Sequence, residues 1–242
     1  VDAESGDMLW SYDTAIGTGK ENWRNMNEKR RHGWPPGIYP VPVADDTKVY
    51  IGSWSGYYFA FDMETGEMVW RTQTNDGNLN GGLPDSAAPV LWGNYVYVQK
   101  TGNILAALNR ETGKIEWELK APKGYGQNGT VAAHDNKIFG TDFDGGRRFP
   151  INATVIAFDD VEHGSVELWR YRGGGGLTAP VMTEDKLINV STADPFMVCL
   201  NPEDGSVIWR IYTGGIMIEG VPAIYGNKVY GYSDTDWMYA IE

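Results

Sequence analysis

Apolar and polar residues alternate with a period of two in short runs along most of the chain. Typical runs are Lys-Val-Tyr-Ile-Gly at 48–52 and Tyr-Val-Tyr-Val at 95–98. Such runs, rich in β-branched and aromatic side chains, predict β-strands that are buried on one or both faces. No stretch beyond the first connection has a convincing period of 3.6 residues, so we predict a low helix content.

These runs belong to a unit that recurs along the sequence. One segment begins with a small residue, an apolar residue and Asp or Asn. A polar turn that contains glycine follows, and the segment ends with tryptophan. It occurs at 60–70, 107–117, 157–169 and 199–209, and its second half occurs at 2–10. A second segment, Pro-Val followed by Lys-Val-Tyr or their equivalents, occurs at 42–52, 88–98, 131–140, 179–188 and 221–231. Five copies, spaced by about 40–50 residues, predict a propeller or solenoid with four short strands in each unit.

The two ends of the sequence carry complementary parts of this unit. The chain begins with the fourth-strand segment around Trp10 and ends with the third-strand segment Tyr239-Ala240-Ile241. A blade built from both ends would leave no exposed sheet edge. We therefore predict an all-β fold, a β-propeller of four-stranded antiparallel blades, with five blades and the last blade closed by the N-terminal strand. The whole chain, 1–242, would be one propeller domain. The alternative is a fragment of a larger ring of seven or eight blades.

One tryptophan recurs at the same position in every copy of the repeat. The set consists of Trp10, Trp70, Trp117, Trp169 and Trp209. These residues could form an array for stacking a ligand. One tryptophan per blade at a fixed register instead favours a structural docking role, in which each ring packs between neighbouring blades and buries roughly 200 Å².

The repeat also resembles that of a known family. The unit Ala-Pro-Val…Lys-Val-Tyr-Val-Gly…Ala-Phe-Asp-x-x-Thr-Gly-x-x-x-Trp is similar to the repeat of the pyrroloquinoline-quinone (PQQ) enzyme-like propeller superfamily. The resemblance covers nearly all of the chain except residues 13–37 and a few loops. It implies the propeller fold and two classes of function, because the superfamily includes quinoprotein alcohol dehydrogenases and cofactor-free members such as the propeller lipoprotein of outer-membrane assembly.

The dehydrogenase class carries further requirements. The resemblance implies eight blades, a vicinal Cys-Cys pair against the quinone, and a calcium ion held by Glu, Asn and Asp near the axis. This chain has one cysteine, Cys199, at the small position of the third strand, where Ala60, Ala107, Ala157 and Ala240 stand in the other copies. We interpret Cys199 as a core residue and disfavour PQQ and calcium as cofactors.

Charge and residue counts exclude several other functions. Among 242 residues, 20 Lys and Arg stand against 32 Asp and Glu, which gives a formal net charge of −12. Such an acidic protein repels a phosphate backbone, so we expect no nucleic-acid partner. No apolar run approaches the roughly 20 residues that span a bilayer, so we expect no transmembrane segment. The single cysteine and the three histidines share no metal-ligand spacing, and we assign neither a metal site nor a catalytic residue.

Glycine-rich segments lead into each inner strand and form the candidate ligand site. In a propeller these connections return from the rim to the axis and converge on one face. Their polar and aromatic members would surround the mouth of the channel: Trp34, Asn80, Gln127, Asn128, Arg172 and Glu219. The alternative is that glycine only relieves crowding where the inner strands meet.

Residues 13–37 are the longest departure from the repeat. This insertion contains Lys29-Arg30-Arg31-His32, the one cationic cluster in an acidic sequence. We interpret the insertion as a surface for a protein partner or a lid across the channel, because functional loops decorate rigid scaffolds. The alternative is a solvated excursion without a partner.

These observations favour a secreted or periplasmic PQQ-like propeller that acts as a non-catalytic binding or assembly module. The rival hypothesis is a small quinoprotein-type oxidoreductase that binds PQQ and calcium at the channel mouth through Glu219, Asn80 and Arg172. A third hypothesis makes the chain one subunit or domain of a larger extracellular complex.

Overall fold

The structure is a computed structural model, and the regular secondary structure of the residues that it describes is entirely β. It describes residues 2–17, 38, 40–53, 56–74, 88–100, 104–120, 131–143, 153–159, 166–173, 180–190, 195–215 and 221–242. Within these ranges the chain forms five antiparallel sheets, four of them four-stranded. The predicted all-β class is confirmed, and the sheets are consistent with propeller blades.

In each sheet the strands lie side by side in sequence order. The first sheet consists of β1 (Val43–Ala44), β2 (Lys48–Ser53), β3 (Tyr57–Asp62) and β4 (Met68–Gln73). The second sheet consists of β5 (Val90–Trp92), β6 (Tyr95–Lys100), β7 (Ile104–Asn109) and β8 (Ile115–Lys120).

The remaining three sheets repeat this order. The third sheet consists of β9 (Ala132–His134), β10 (Lys137–Phe143), β11 (Ala153–Asp159) and β12 (Glu167–Arg172). The fourth consists of β13 (Val181–Met182), β14 (Leu187–Val190), β15 (Phe196–Leu200) and β16 (Val207–Tyr212). The fifth has three strands, β17 (Ala223–Tyr225), β18 (Lys228–Tyr232) and β19 (Met238–Ile241).

The turn between the third and fourth strands is set by its Asp or Asn and its glycine. In the first sheet, the Asp62 carboxylate accepts hydrogen bonds from the amides of Glu64 and Thr65 at 3.1 and 2.8 Å. Gly66 donates to the Asp62 carbonyl and has a φ of 72°, a conformation that glycine adopts at low cost. Asn109 and Gly113 repeat these contacts in the second sheet. The turn fixes the register in which the small third-strand residue Ala60 pairs with Trp70.

Each sheet has two faces, which we call the Trp face and the far face. The Trp face carries the docking-position tryptophan and its paired small residue, and the far face carries the alternate residues. In the first core cluster, Tyr50, Ala60 and Trp70 from the Trp face of the first sheet pack against Val96 and Leu108 from the far face of the second. The next two clusters repeat this packing, with the third sheet against the fourth and the fourth against the fifth.

The N-terminal segment packs against the first sheet. Trp10 and Tyr12 pack against Phe59 and Phe61 on the far face of the first sheet. Residues 6–13 nevertheless contain no assigned strand. The closing of the last blade by the N-terminal strand, which the sequence predicts, is therefore not seen in the described residues.

The chain forms two compact units. One consists of residues 1–102 and 106–116, and the other of residues 103–105 and 117–242. The first contains the N-terminal segment, the first sheet and most of the second. The second contains the third, fourth and fifth sheets. The prediction of a single domain over 1–242 stays a prediction.

Candidate functional site

The candidate site lies where the connections to the inner strands begin. In each four-stranded sheet the second strand and the fourth strand end on the same side, because neighbouring strands are antiparallel. We call this side the connection end, and the opposite side, with the Asp–Gly turns, the turn end. In the sequence, the predicted channel-mouth residues other than Trp34 come at or after the end of a fourth strand.

Buried uncharged polar residues accumulate at the connection ends. All the buried polar residues of the described ranges belong to this set: Thr14, Ser53, Thr74, Gln99, Thr141, Asn189, Thr213 and Ser233. Apart from Thr14, which lies in the N-terminal segment, each lies near the end of a second strand or just after the end of a second or fourth strand. The set supplies hydroxyl and amide groups, which can donate and accept hydrogen bonds but carry no charge.

Threonine hydroxyls tie the segments together at this end. Thr14 Oγ1 lies 3.3 Å from Ser53 Oγ. Both the amide and the hydroxyl of Thr74 donate to the Gly56 carbonyl, at 3.0 and 3.4 Å. In the second unit, Thr213 Oγ1 donates to the Gly215 carbonyl at 2.8 Å.

Each of these threonines lies four residues after a docking-position tryptophan. Thr14, Thr74 and Thr213 follow Trp10, Trp70 and Trp209, respectively. Sequence reasoning missed them, although a Trp-x-x-x-Thr pattern in three copies of the repeat was available as a signal. The Thr213 carbonyl also accepts a hydrogen bond from the Tyr239 hydroxyl. That contact joins the fourth sheet to β19.

Of the predicted channel-mouth residues, the structure describes only Arg172. Its side chain is exposed at the end of β12, and its backbone pairs with Thr154. Gly173 follows with a φ of 105°, a conformation that glycine adopts at low cost. Trp34, Asn80, Gln127, Asn128 and Glu219 lie outside the described residues, so their grouping stays a prediction.

The start of the 13–37 insertion is attached to the connection end of the first sheet. Ala15 is buried, and its amide donates to the Asp13 carboxylate at 3.1 Å. Arg71 in β4 donates to the Ile16 carbonyl at 3.0 Å. The rest of the insertion, from residue 18, lies outside the described residues. Its first residues are thus held by hydrogen bonds to the first unit.

At the turn ends, three tryptophans make the same pair of contacts. The indole N–H groups of Trp10, Trp70 and Trp169 donate to the carbonyls of Met63, Arg110 and Pro202, at 2.9, 3.1 and 2.9 Å. Their rings lie against the turn glycines Gly66, Gly113 and Gly205, where a Cβ would come within 2.5–2.6 Å of a ring atom. Trp117 is buried, and Trp209 packs in the cluster around Cys199.

A charged cluster joins the first and second sheets at the turn end. Asp45 accepts hydrogen bonds from the Tyr50 hydroxyl at 2.7 Å and from Arg110 Nε at 2.9 Å. The amides of Thr47 and Lys48 also donate to it, each at 2.8 Å. Burial by itself would raise the pKa of Asp45, but these hydrogen bonds outweigh it and hold the pKa of Asp45 well below its usual range. The carboxylate is therefore a fixed negative charge, with a structural role.

A lysine–glutamate pair occurs at equivalent places in both units. Lys48 contacts Glu111 at 2.8 Å in the first unit, and Lys137 contacts Glu203 at 2.9 Å in the second. In each case the lysine begins a second strand and the glutamate lies in the Asn–Gly turn of the next sheet. The pair marks the turn end of a sheet-to-sheet joint.

Cys199 lies in the interior of the fourth sheet. It pairs with Trp209 and is completely buried. Burial raises the pKa of its thiol to about 11, so the reactive thiolate is scarce at neutral pH. This environment is typical of a core cysteine.

The quinone–calcium pair that the family resemblance implies would need acidic and amide ligands, and two of the three candidates, Asn80 and Glu219, lie outside the described residues. No group of three His, Cys, Asp or Glu side chains lies together within the described ranges. The buried groups at the connection ends are hydroxyls and amides, whereas calcium sites usually include carboxylates. Arg172 alone, among the three residues of the rival hypothesis, lies in the described part of the chain.

No helix in the described ranges is long and apolar enough to cross a membrane.

Comparisons with known proteins find similarity to a tetrathionate hydrolase and to quinohemoprotein alcohol dehydrogenases. The chain is 24% identical over 197 residues to tetrathionate hydrolase of Acidithiobacillus ferrooxidans, covering 70% of this chain and 36% of that protein. It is 28% identical over 125 residues to quinohemoprotein alcohol dehydrogenase of Comamonas testosteroni, covering 48% of this chain and 16% of that protein. The chain thus spans about a third of the first relative and less than a fifth of the second.

The fold is also similar to solved structures. The crystal structure of the Comamonas testosteroni quinohemoprotein alcohol dehydrogenase superposes with a TM-score of 0.58 at 17% identity, covering 73% of this chain and 35% of that chain. This similarity concerns the fold alone.

A family model matches almost the entire sequence. The model described as outer membrane protein assembly factor BamB matches residues 1–148 and 151–242. The chain therefore belongs to this family of PQQ-like repeat proteins.

Proposed function

We propose that this chain is a non-catalytic PQQ-like propeller that acts outside the cytoplasm as a binding or assembly module, with its five sheets as blades. The main support is the match, over nearly the whole chain, to a family described as an outer-membrane assembly factor. That description, which names the outer membrane, also supports a secreted or periplasmic location.

The chemistry of the connection ends agrees with a binding role. Their buried groups are hydroxyls and amides, which bind through hydrogen bonds and do not titrate near neutral pH. The fixed charges of the first unit, such as Asp45 and Arg110, are used in the joint between two sheets.

We assign the protein-partner surface to the 13–37 insertion. Its start is held by the Arg71–Ile16 hydrogen bond and by the Thr14–Ser53 contact. A rigidly attached base lowers the entropy that a loop loses on binding. The basic run Lys29-Arg30-Arg31 complements an acidic surface on the partner, and this charge would speed association.

The partner assignment is tested by charge reversal with a matched control. Lys29, Arg30 and Arg31 are each changed to Glu, and Lys114→Glu on the turn of the second sheet serves as the control, since Lys114 is exposed. We expect that a periplasmic protein which cross-links to the unmodified chain no longer cross-links to the insertion variants. The same protein should still cross-link to Lys114→Glu. Equal retention by all four variants would contradict the assignment.

The rival hypothesis is tested on the same protein. The names of several relatives, such as quinohemoprotein alcohol dehydrogenase, favour a quinone-dependent oxidoreductase. PQQ and Ca²⁺ are added, binding is followed by tryptophan fluorescence, and dye reduction is measured with alcohols and sugars. We expect no cofactor-dependent turnover. Saturable turnover, reduced in Arg172→Ala, would show that the chain is an enzyme.

A further inference from the structure

The first residues of the 13–37 insertion form a compact turn on the first sheet. The Ile16 amide donates to the Asp13 carbonyl, and the Ala15 amide donates to the Asp13 carboxylate, each at 3.1 Å. Thr14 and Ala15 are 8% and 3% exposed. We call residues 13–17 the foot of the insertion. The foot therefore has a defined conformation, held by local hydrogen bonds and by burial.

One side chain of the first sheet binds this foot. Arg71 lies in β4 directly after Trp70, and its backbone pairs with Phe59. Its Nη1 donates to the Ile16 carbonyl at 3.0 Å. Gly17 follows with a φ of 70°, and a Cβ there would lie 2.8 Å from Nη1 and 3.2 Å from Nη2. A glycine at this position thus allows the guanidinium to lie close to the backbone of the foot.

The guanidinium of Arg71 is also held by an aromatic ring. Its Cζ lies 5.5 Å from the centre of the Tyr57 ring, which is a cation–π contact. The Tyr57 ring lies 6.1 Å from the ring of Phe59. Because the Tyr57 contact already restricts the arginine side chain, the bond to Ile16 costs little further side-chain entropy.

The second unit carries arginines at the same place in the repeat. Arg170 and Arg210 each follow a docking-position tryptophan. Arg170 binds the Glu167 carboxylate of its own strand at 2.8 Å, and the Cζ of Arg210 lies 3.5 Å from the centre of the Phe196 ring. Arg210 therefore offers a matched control for Arg71, with the same repeat position and the same kind of ring contact in the other unit.

From these contacts we infer that Arg71 is a positioning residue for partner binding, which fixes the point where the insertion leaves the first sheet. The inference rests on the proposed function, because it assigns a role to Arg71 within the partner surface on 13–37. The partner is a protein with an acidic surface, the complement of Lys29-Arg30-Arg31. Arg71 acts on this partner through the foot and not by contact.

The physical reason is the entropy of the insertion. At its far end Pro40 is buried, and at its near end Arg71 holds the foot, so the insertion is held at both ends. Release of the foot would lengthen the segment that has to be ordered when the partner binds. That ordering weakens binding, although no contact with the partner is lost.

A nitroxide label at Ile16→Cys measures whether Arg71 holds the foot. The Ile16 side chain is 54% exposed, and Cys199→Ala is the background, so that the label attaches at one position. We expect slow nitroxide motion in this background and in Arg210→Gln, and fast motion in Arg71→Gln. Arg71→Lys keeps a donor and the charge, so it should restore much of the slow motion. Circular dichroism verifies that each variant is folded.

An oligoglutamate peptide serves as the probe for an acidic partner, with binding followed by fluorescence anisotropy at physiological ionic strength. We expect Arg71→Gln to weaken binding by about three- to tenfold, because the foot is released. Arg210→Gln removes the same charge and should change the affinity by less than about twofold, since salt screens distant charges. Arg71→Lys should retain most of the affinity.

Gly17 gives a second route to the same release. Gly17→Ala would place a Cβ against the guanidinium of Arg71, so it should mobilise the label and weaken peptide binding as Arg71→Gln does. Gly6→Ala is the control, because Gly6 has a φ of 77° and open space around its Cβ position. Backbone strain at Gly6 should leave both measurements unchanged.

The outcomes separate this inference from the proposed function. Nitroxide motion that is equally slow in Arg71→Gln and in the background would overturn the inference, because Arg71 would not hold the foot. Equal peptide affinity in Arg71→Gln and the unmodified chain, with binding still lost on charge reversal of residues 29–31, would overturn the positioning role and leave the proposed function intact. A peptide that does not bind the unmodified chain would contradict the proposed partner surface and the inference with it.

Discussion

The indole N–H of Trp70 donates a 3.1 Å hydrogen bond to the carbonyl of Arg110, while the guanidinium of the same arginine binds Asp45. One residue in the turn of the second sheet thus contacts both the fourth strand and the inner hairpin of the first. The ring of Trp70 also packs against Gly113 in the same turn. The joint between these sheets therefore combines apolar burial, a neutral hydrogen bond and a charged one.

The turn glycine should be among the least replaceable residues of the first unit. Gly113 has a φ of 71°, and a Cβ there would lie 2.6 Å from Trp70 and 2.7 Å from Thr72 Oγ1. We expect Gly113→Ala to lower the free energy of unfolding by about 2–4 kcal/mol, since it adds overpacking to left-handed strain. Urea denaturation measures the change.

Gly93→Ala separates the two causes, because Gly93 has a φ of 54° but open space around its Cβ position. Gly93→Ala should lower the free energy of unfolding only by the backbone strain, about 1 kcal/mol. Equal losses in the two variants would show that the Trp70 contact adds nothing.

The docking role of the tryptophans is tested in the second unit at Trp169. Its indole donates to the Pro202 carbonyl and its ring lies against Gly205. Trp169→Ala removes both contacts and opens a cavity, so we expect a loss of about 3–5 kcal/mol in unfolding free energy. Trp237→Ala, at a 63% exposed site, should change stability by less than about 0.5 kcal/mol. Similar small effects at both positions would contradict a docking role.

Much of the strand order could be predicted because characteristic residues recur at the strand boundaries of each repeat. Pro42, Pro89, Pro180 and Pro222 stand directly before β1, β5, β13 and β17, since proline has no N–H to give to the sheet. The Asp–Gly turn likewise specifies the bend and the register around Trp70. These signals are local, and a sequence displays local signals directly.

The contacts that sequence reasoning missed depend on distant residues. Arg110 stands 65 residues from Asp45, and neither belongs to the repeat pattern, so nothing local pairs them. The last blade shows the opposite case. The sequence offers complementary segments at Trp10 and Ala240, and their pairing stays a prediction. Most of the candidate mouth residues lie outside the described ranges, so the sequence remains their only evidence.

Acid should weaken the joint between the first and second sheets, because it protonates Asp45. Hydrogen bonds hold the pKa of its carboxylate below the unfolded value, so the stabilisation is present above pH 4 and is lost as the pH falls further, through the low pKa of the folded state. We expect Asp45→Asn to lower the free energy of unfolding by about 1.5–3 kcal/mol at pH 7, the range for hydrogen bonds to a charged group. The cost should shrink at pH 3, where the unmodified chain has itself begun to lose this contribution.

The neighbouring variant Asp46→Asn, which removes the same charge at an exposed site, is the control. Urea midpoints at pH 7 and pH 3 give the comparison. A cost for Asp45→Asn that is the same at both pH values would mean that its ionisation does not contribute to the joint.

Cys199 should behave as a core residue and not as a nucleophile. Burial raises the pKa of its thiol to about 11, with the Asp185 carboxylate adding to the effect and the Lys186 ammonium opposing it. At pH 8 the thiolate would be about a hundredfold scarcer than in a free cysteine, so a thiol reagent should modify the folded chain at least that much more slowly than the unfolded chain. Cys199→Ala should cost less than about 1.5 kcal/mol, because alanine occupies the equivalent, fully buried positions Ala60, Ala107 and Ala157. Rapid modification in native buffer, with unfolding excluded by circular dichroism, would place the thiol at an accessible site and reopen a chemical role for it.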